Sequence, residues 1–399
     1  MPMDSKPGSE FPTTKTRSVI LRLGVSIAAV FAFTRCFSFG SGPSGGGCGY
    51  QHQDDFNEEI CGDNIVDDSL TVTNQEELAQ LSGITFIDGS LVIENSSLTN
   101  LDDLDDLICV RGTLSITDNA ELTSVGGLEN LEQVGRGVLI ENNDSLITLD
   151  GFYNLYLVDE IIIEENDALE SLQGLSGLTS LSELLIRSNN ELETLEGLAG
   201  LNSVESRLEI RGNGALVSLA GLEELSIMPA GDLSISDNPE LTALAGLENL
   251  EEVQRLFITD NESFASFDGL DSLMTVTYNF WVHRNESLTS LDGLSSLDSI
   301  GTLSLWDNPT LNSLAGLSEN LELGAWDLER NLSLASLEGF EALVPETGFT
   351  AYRNLLVPTC DLVAYRDALQ SDGWEGEVCI SENLEDECDD DESDCWWAN

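Results

Sequence analysis

Lysine is missing from almost the whole chain: after Lys15 none of the 399 residues is lysine, and histidine occurs only at His52 and His283. Acids outnumber bases 73 to 15, for a formal net charge of −58, and five of those bases lie in the first 40 residues. Binding nucleic acid through a broad basic surface is excluded, because counterion release needs clustered cations. An anionic membrane surface repels such a chain in the same way. With two histidines, no nucleophile–His–acid set can be placed. No phosphate-binding loop, zincin or dinucleotide fingerprint is present, so no cofactor is expected and the chain reads as non-enzymatic. Carboxylate pairs abound, but in so acidic a chain chance proximity explains them, which leaves a hydrolase as a distant alternative.

Hydrophobic residues make up 41% of the chain, enough for a large core. A basic start followed by the apolar stretch 23–33 and small residues near Gly40 reads as an export signal. Cleavage near Gly40 is the preferred outcome; lipidation at Cys36 and an uncleaved anchor beginning near Val19 stay open, and only through these would the membrane be touched. The eight cysteines gather at the two ends. They point to structural disulfides drawn from Cys48, Cys61, Cys360, Cys379, Cys388 and Cys395, with Cys109 the expected odd thiol and pairing left open.

One unit repeats through the chain. The segments beginning at Leu114, Leu208, Leu233 and Leu303 follow L-x-I/L-x-x-N, and the closing Asn recurs from Asn119 to Asn354 at intervals of 23–25 residues. A degenerate earlier copy surrounds Asn95, where one residue seems missing from the spacing. Two apolar residues before the Asn alternate as a strand requires; after it, apolar residues recur every third position, as Leu122, Val125, Leu128 and Leu131 do, which suits a coil turning corners. Eight residues past the Asn stands a glycine in ten consecutive copies, Gly127 to Gly339, for which a positive φ is expected. The Asn is expected to turn inward and bond backbone groups as a ladder between coils.

These features predict a β-rich repeat solenoid: a right-handed coil with a parallel sheet, about twelve coils stacking over roughly 55 Å and capped at both ends. The expected order is a signal peptide or N-terminal anchor (1–40), a flexible Gly/Ser and acidic linker (41–60), an N-terminal cap (61–88), repeats (89–357), a C-terminal cap with disulfides (358–388) and an acidic tail (389–399). Asn74 is expected to cap a helix over 75–81; a helix over 360–369 and a last strand over 376–380 are expected in the C-terminal cap. The tail is a site for weak Ca²⁺ at most, since it lacks any calcium-loop pattern.

The pattern N-x-x-L-x-S-L-x-G-L-x-x-L, as in residues 285–297, resembles the receptor L-domain family, a leucine-rich-repeat-like group, and in particular its long bacterial exported versions. The resemblance covers roughly 61–388. Eukaryotic members form ligand-binding lobes of the insulin and epidermal growth factor receptors, so it implies an exported recognition protein at the cell envelope or outside the cell. This chain departs from the receptors in its many consecutive repeats and its lack of a Cys-rich module and a kinase.

Outward residues of the sheet sit two and four positions before each Asn. There, or beside them, fall Arg187, Arg207, Arg211, Arg255, Phe257, Trp281, His283, Arg284, Trp306, Arg330, Tyr352 and Arg353. Arg and aromatics dominate binding hot spots, so this face is the candidate surface for a protein or glycan ligand. Two plainer readings stand beside it. Arg among acids also relieves ladder repulsion, and aromatics suit exposed strands. An exposed row of Leu139, Ile162 and Leu185 is a second candidate contact patch or a dimer seam. A structural or adhesive rod without a specific ligand is the competing function. Four of the five N-x-S/T sequons begin at a ladder Asn and read as structural.

Overall fold

The computed structural model describes residues 55–340 and 343–384. In chain order the first elements are β1 (Ile65–Val66), β2 (Leu70–Val72), α1 (Gln75–Ala79), β3 (Phe86–Ile87), β4 (Leu91–Glu94), β5 (Cys109–Val110), β6 (Leu114–Thr117), β7 (Gln133–Val134), β8 (Gly137–Glu141) and β9 (Glu160–Glu164). Longer strands follow: β10 (Ser180–Arg187), β11 (Ser203–Arg211), β12 (Ile227–Ser236), β13 (Glu252–Thr259), β14 (Thr275–His283), β15 (Ser299–Trp306), β16 (Glu322–Glu329) and β17 (Pro345–Tyr352). Helix α2 (Thr359–Ser371) and β18 (Glu377–Ser381) complete the order. Fourteen strands from β2 to β18 form one parallel sheet, and β1, β3, β5 and β7 form a second sheet of four. The fold is the expected parallel β-solenoid, a right-handed repeat coil.

Each coil fills its interior with the residues that the spacing of three singles out: Leu122, Val125, Leu128 and Leu131 are at most 1% exposed. One coil buries no core alone, so each is held by its neighbours. The Asn ladder forms as expected. Asn143 Oδ1 accepts from the backbone N–H of Asn119 at 3.2 Å, while its Nδ2 donates to Ile116 O in the preceding coil at 2.9 Å. The same bonds recur to Asn354, whose N–H donates to Asn383 Oδ1, so the ladder runs on past β18. Helix α2 is inserted between those last two rungs.

Three expectations are corrected by these contacts. The early copy lacks no residue: Ser96 holds the rung, its N–H and hydroxyl both donating to Asn119 Oδ1. Asn95 is instead the residue just before the rung, which adopts a left-handed backbone in every coil, with φ near 50–60° at the non-glycine positions. The glycine column owes its identity first to close approach. A Cβ on Gly174 would stand 1.6 Å from Leu149 O of the coil below, although its φ is ordinary, whereas Gly246 combines a similar approach of 2.2 Å with φ +117°. Positive φ begins in this column only at Gly221. Finally, Cys109 is not the odd thiol: it is bonded to Cys61. The two lie 48 residues apart, two repeats, and so meet where coils stack.

The ends close as the apolar pattern requires. Asn74 Oδ1 caps α1 by accepting from the N–H groups of Glu76 and Glu77. Residues 55–60, assigned from sequence to a flexible linker, pack on the four-stranded sheet: Phe56 contacts Phe86, and Asn57 N–H donates to the buried Gln133. Helix α2 buries Leu362, Tyr365 and Leu369, and Tyr365 packs against Trp326 and Phe349. Cys360 and Cys379 are both disulfide-bonded. Cys48, Cys388, Cys395, His52, the signal segment and the acidic tail lie outside the described residues.

Candidate functional site on the sheet face

Parallel in-register pairing sets equivalent side chains of successive coils side by side. It places Phe257 next to Trp281 and His283 next to Trp306 across β13, β14 and β15. A continuous aromatic row results. Phe257 meets Trp281 edge-on at 5.1 Å, Trp281 stacks on His283 at 5.5 Å, and His283 meets Trp306 at 5.1 Å. The Arg330 guanidinium closes the row, 5.6 Å from the Trp306 ring centre. His283 is a spacer within the row more than a contact residue. It is only 8% exposed, its Nε2 lies 3.2 Å from Ser304 Oγ, and burial, reinforced by the Arg284 cation, lowers its pKa to about 4. It is therefore neutral at pH 7. Trp281, by contrast, is 39% exposed.

The row borders a concavity of about 710 Å³ on the face, lined also by Arg207, Arg211, Ser234, Thr259, Asn279, Arg284 and Thr302. Each candidate arginine of the face is ion-paired. Arg187 holds Glu209 through two hydrogen bonds and reaches Glu164; Arg207 also pairs with Glu209, whose residue exposure is 5%. Arg211 pairs with Asp237, and Arg255 with Asp232 while lying 5.5 Å from the Tyr278 ring centre. Arg284 grips Asp260 with two bonds of 2.6 Å, Arg330 grips Asp307 likewise, and Arg353 pairs with Glu382 beside Tyr352. Arg284, Arg330, Arg353 and their acids all occupy the left-handed position before the Asn. A second, ionic ladder therefore runs beside the amide ladder, and it neutralises a corner that would otherwise be acidic.

The face changes character toward β8–β10. Glu141 lies beside Glu164, and Glu160 beside Glu183. Burial raises the Glu160 carboxyl to about 7, with the Glu183 charge adding to it; burial and then Glu164 raise Glu141. Leu139 and Ile162 are half-buried there, but Leu185 is only 5% exposed, so the expected exposed row is shorter than read. Leu185 lies between Ile162 and Glu209 in the ladder across β9, β10 and β11. Asp260, Asp307, Tyr278 and Ser304 were not singled out from sequence. Asp260 and Asp307 carried a signal, since each stands one repeat from its arginine.

Among the described residues no group of three or more His, Cys, Asp or Glu would hold a metal ion. No helix among them is long and apolar enough to cross a membrane.

Residues 62–159 match the family described as Receptor L domain. No curated protein matches the chain. Among solved structures the chain is similar to a leucine-rich-repeat protein of Leptospira interrogans, at 17% identity and a TM-score of 0.27, covering 78% of this chain and 88% of that one. It is also similar to a chain of the TLR13–ssRNA13 complex, at 14% identity and a TM-score of 0.25, covering 78% of this chain and 61% of that one. The chain is a parallel β-solenoid whose residues 62–159 are similar to the receptor L domain.

Proposed function

We propose that this chain is an exported, non-enzymatic recognition protein that binds a macromolecular ligand, protein or glycan, on the outer face of its large sheet. The observation that carries the reading is the aromatic row of Phe257, Trp281, His283 and Trp306 bordering an open concavity. Within that row the Trp281 indole is left 39% exposed, and Trp is among the residues enriched at binding hot spots. Export is supported by four described disulfide-bonded cysteines: Cys61 with Cys109, and the bonded Cys360 and Cys379. Such bonds persist in oxidising compartments.

The competing reading, a structural or adhesive rod of the cell envelope, is favoured by one observation: the face arginines are all engaged with acids of their own chain. The two readings separate in a ligand screen by pull-down and glycan array with the wild type and the Trp281→Ala/Trp306→Ala pair. Recognition predicts a saturable partner lost with the pair; binding that ignores the pair removes the sheet-face reading.

A further inference from the structure

The concavity beside the aromatic row differs from a typical protein-docking patch in its inventory of unused hydrogen-bonding groups. Ser234, Thr259, Asn279 and Thr302 line it, half-buried, and none has its side-chain polar group engaged by another described residue. The indole N–H groups of Trp281 and Trp306 are likewise without a partner among the described residues. The arginines of the lining are in the opposite state: Arg207, Arg211 and Arg284 are each held by a carboxylate. Four carboxylates also line it, Glu209, Asp237 and Asp260 holding those arginines and Asp327 beside them. The lining therefore offers uncommitted hydroxyl, amide and indole groups beside an aromatic surface, with its cations already neutralised.

That combination selects the ligand. A charged ligand would have to break existing ion pairs. A protein interface centres on an apolar anchor pocket, whereas the hydroxyls of Ser234, Ser236, Thr259, Thr302 and Ser304 share this concavity of about 710 Å³ with the aromatics. Its size falls within the roughly 300–1,000 Å³ of sites that enclose small ligands. A sugar ring has an apolar C–H face to set against an aromatic surface. Its hydroxyls both donate and accept, as do the groups facing it. Successive coils are about 4.8 Å apart, close to the advance of one pyranose in an extended chain, so a linear glycan crossing β12 to β15 presents a ring to each coil.

We infer that the concavity beside Trp281 and Trp306 is a subsite for a neutral glycan, bound as a short oligosaccharide segment running across the strands. This inference rests on sheet-face recognition and narrows its ligand to one class. The test is titration calorimetry of the protein against a panel of neutral oligosaccharides (β-glucan, mannan, galactan and chitin fragments), followed by variants. At least one fragment is expected to bind saturably, about tenfold or more weaker with Trp281→Ala and with Thr302→Arg, which fills the concavity from a half-buried position. Tyr153→Ala, an exposed aromatic outside the lining, is expected to leave affinity unchanged, and circular dichroism reports whether each variant is folded. Because the ligand is uncharged, raising salt should leave affinity within about twofold. If no fragment of the panel binds, the glycan assignment is overturned. Should a polypeptide then be captured in a manner lost with Trp281→Ala, sheet-face recognition survives without it. Should neither class bind through these residues, both readings fail. Affinity that collapses in salt also overturns the neutral-glycan assignment.

Discussion

Strands β6, β8 and β9 and strands β13 to β17 obey one repeat, yet they solve its two problems differently. In the earlier coils the strands span four or five residues, the glycine corners are 3₁₀ turns with ordinary φ, and like charges such as Glu141 and Glu164 lie side by side. In the later coils the strands span eight or nine residues, the corner glycines take φ above +100°, and acids are matched by arginines one repeat away. The stacking contact that demands glycine is common to both, so backbone angle is a secondary adjustment. Charge is where they part: the later coils supply their own counter-ions, while in the earlier ones burial and neighbouring acids raise the Glu141 and Glu160 carboxyls. The aromatic row sits on the part where Arg284 and Arg330 offset Asp260 and Asp307.

The largest effect expected is common to both regions and would break the comparison if it were not. Asn238→Ala strips the Asn213 N–H and Ile210 O of their partner, and Asn143→Ala strips the Asn119 N–H and Ile116 O. Each should therefore cost about 3 kcal/mol or more, read as a loss of denaturation midpoint. A much milder result at one of them would show that the ladder is not uniform.

Removing the Cys61–Cys109 bond comes next, since it closes a loop of 48 residues and is worth about 3–4 kcal/mol by chain entropy. With nearest-neighbour stability the loss should stay local. Hydrogen exchange of Cys109→Ser should quicken in β1 to β7 and hold its rate in β13 to β17; uniform quickening would contradict independent regions.

Acid–base behaviour should oppose the two regions. Glu160, raised from 4.5 to about 7, binds its proton more tightly when folded, so its contribution to stability falls as pH rises from about 4.5 to 7. His283, lowered from 6.5 to about 4, stays neutral when folded, so its contribution is lost as pH falls from about 6.5 to 4. Region-resolved hydrogen exchange across that range should show β9 firming at low pH while β14 loosens. Glu160→Gln should stabilise the chain above pH 7 and remove the first trend; an unchanged profile would refute the assignment.

The smallest effect belongs to the ionic ladder. Arg284 is 54% exposed in its pair with Asp260, so Arg284→Ala should cost about 0.5 kcal/mol, shrinking further in salt. A cost several times larger would mean that the corner charges hold the later coils together.

Much of this was legible without coordinates. The interval of 23–25 residues exposes the ladder Asn, the inward apolar residues and the outward columns together, because a solenoid maps sequence position onto angular position around a coil. The same mapping explains what was missed. Cys61 and Cys109 are 48 residues apart, and Arg284 stands 24 past Asp260; both intervals are whole repeats, so both contacts were encoded but went unread. Ser96 lies 23 residues before Asn119 and so keeps the interval, but as a serine it breaks the Asn pattern that marks the other rungs.

The sequence by itself determined the repeat, the parallel stack, the amide ladder and the face on which Phe257, Trp281 and Trp306 appear, since all follow from side-chain type at a fixed period. Only the tertiary structure decided which arginines were already engaged, which polar groups were left unengaged around the aromatic row, and that Leu185 and His283 are covered. Those are properties of distances between neighbouring coils. A one-dimensional period specifies which residues become neighbours, but how closely their side chains approach depends on packing in three dimensions.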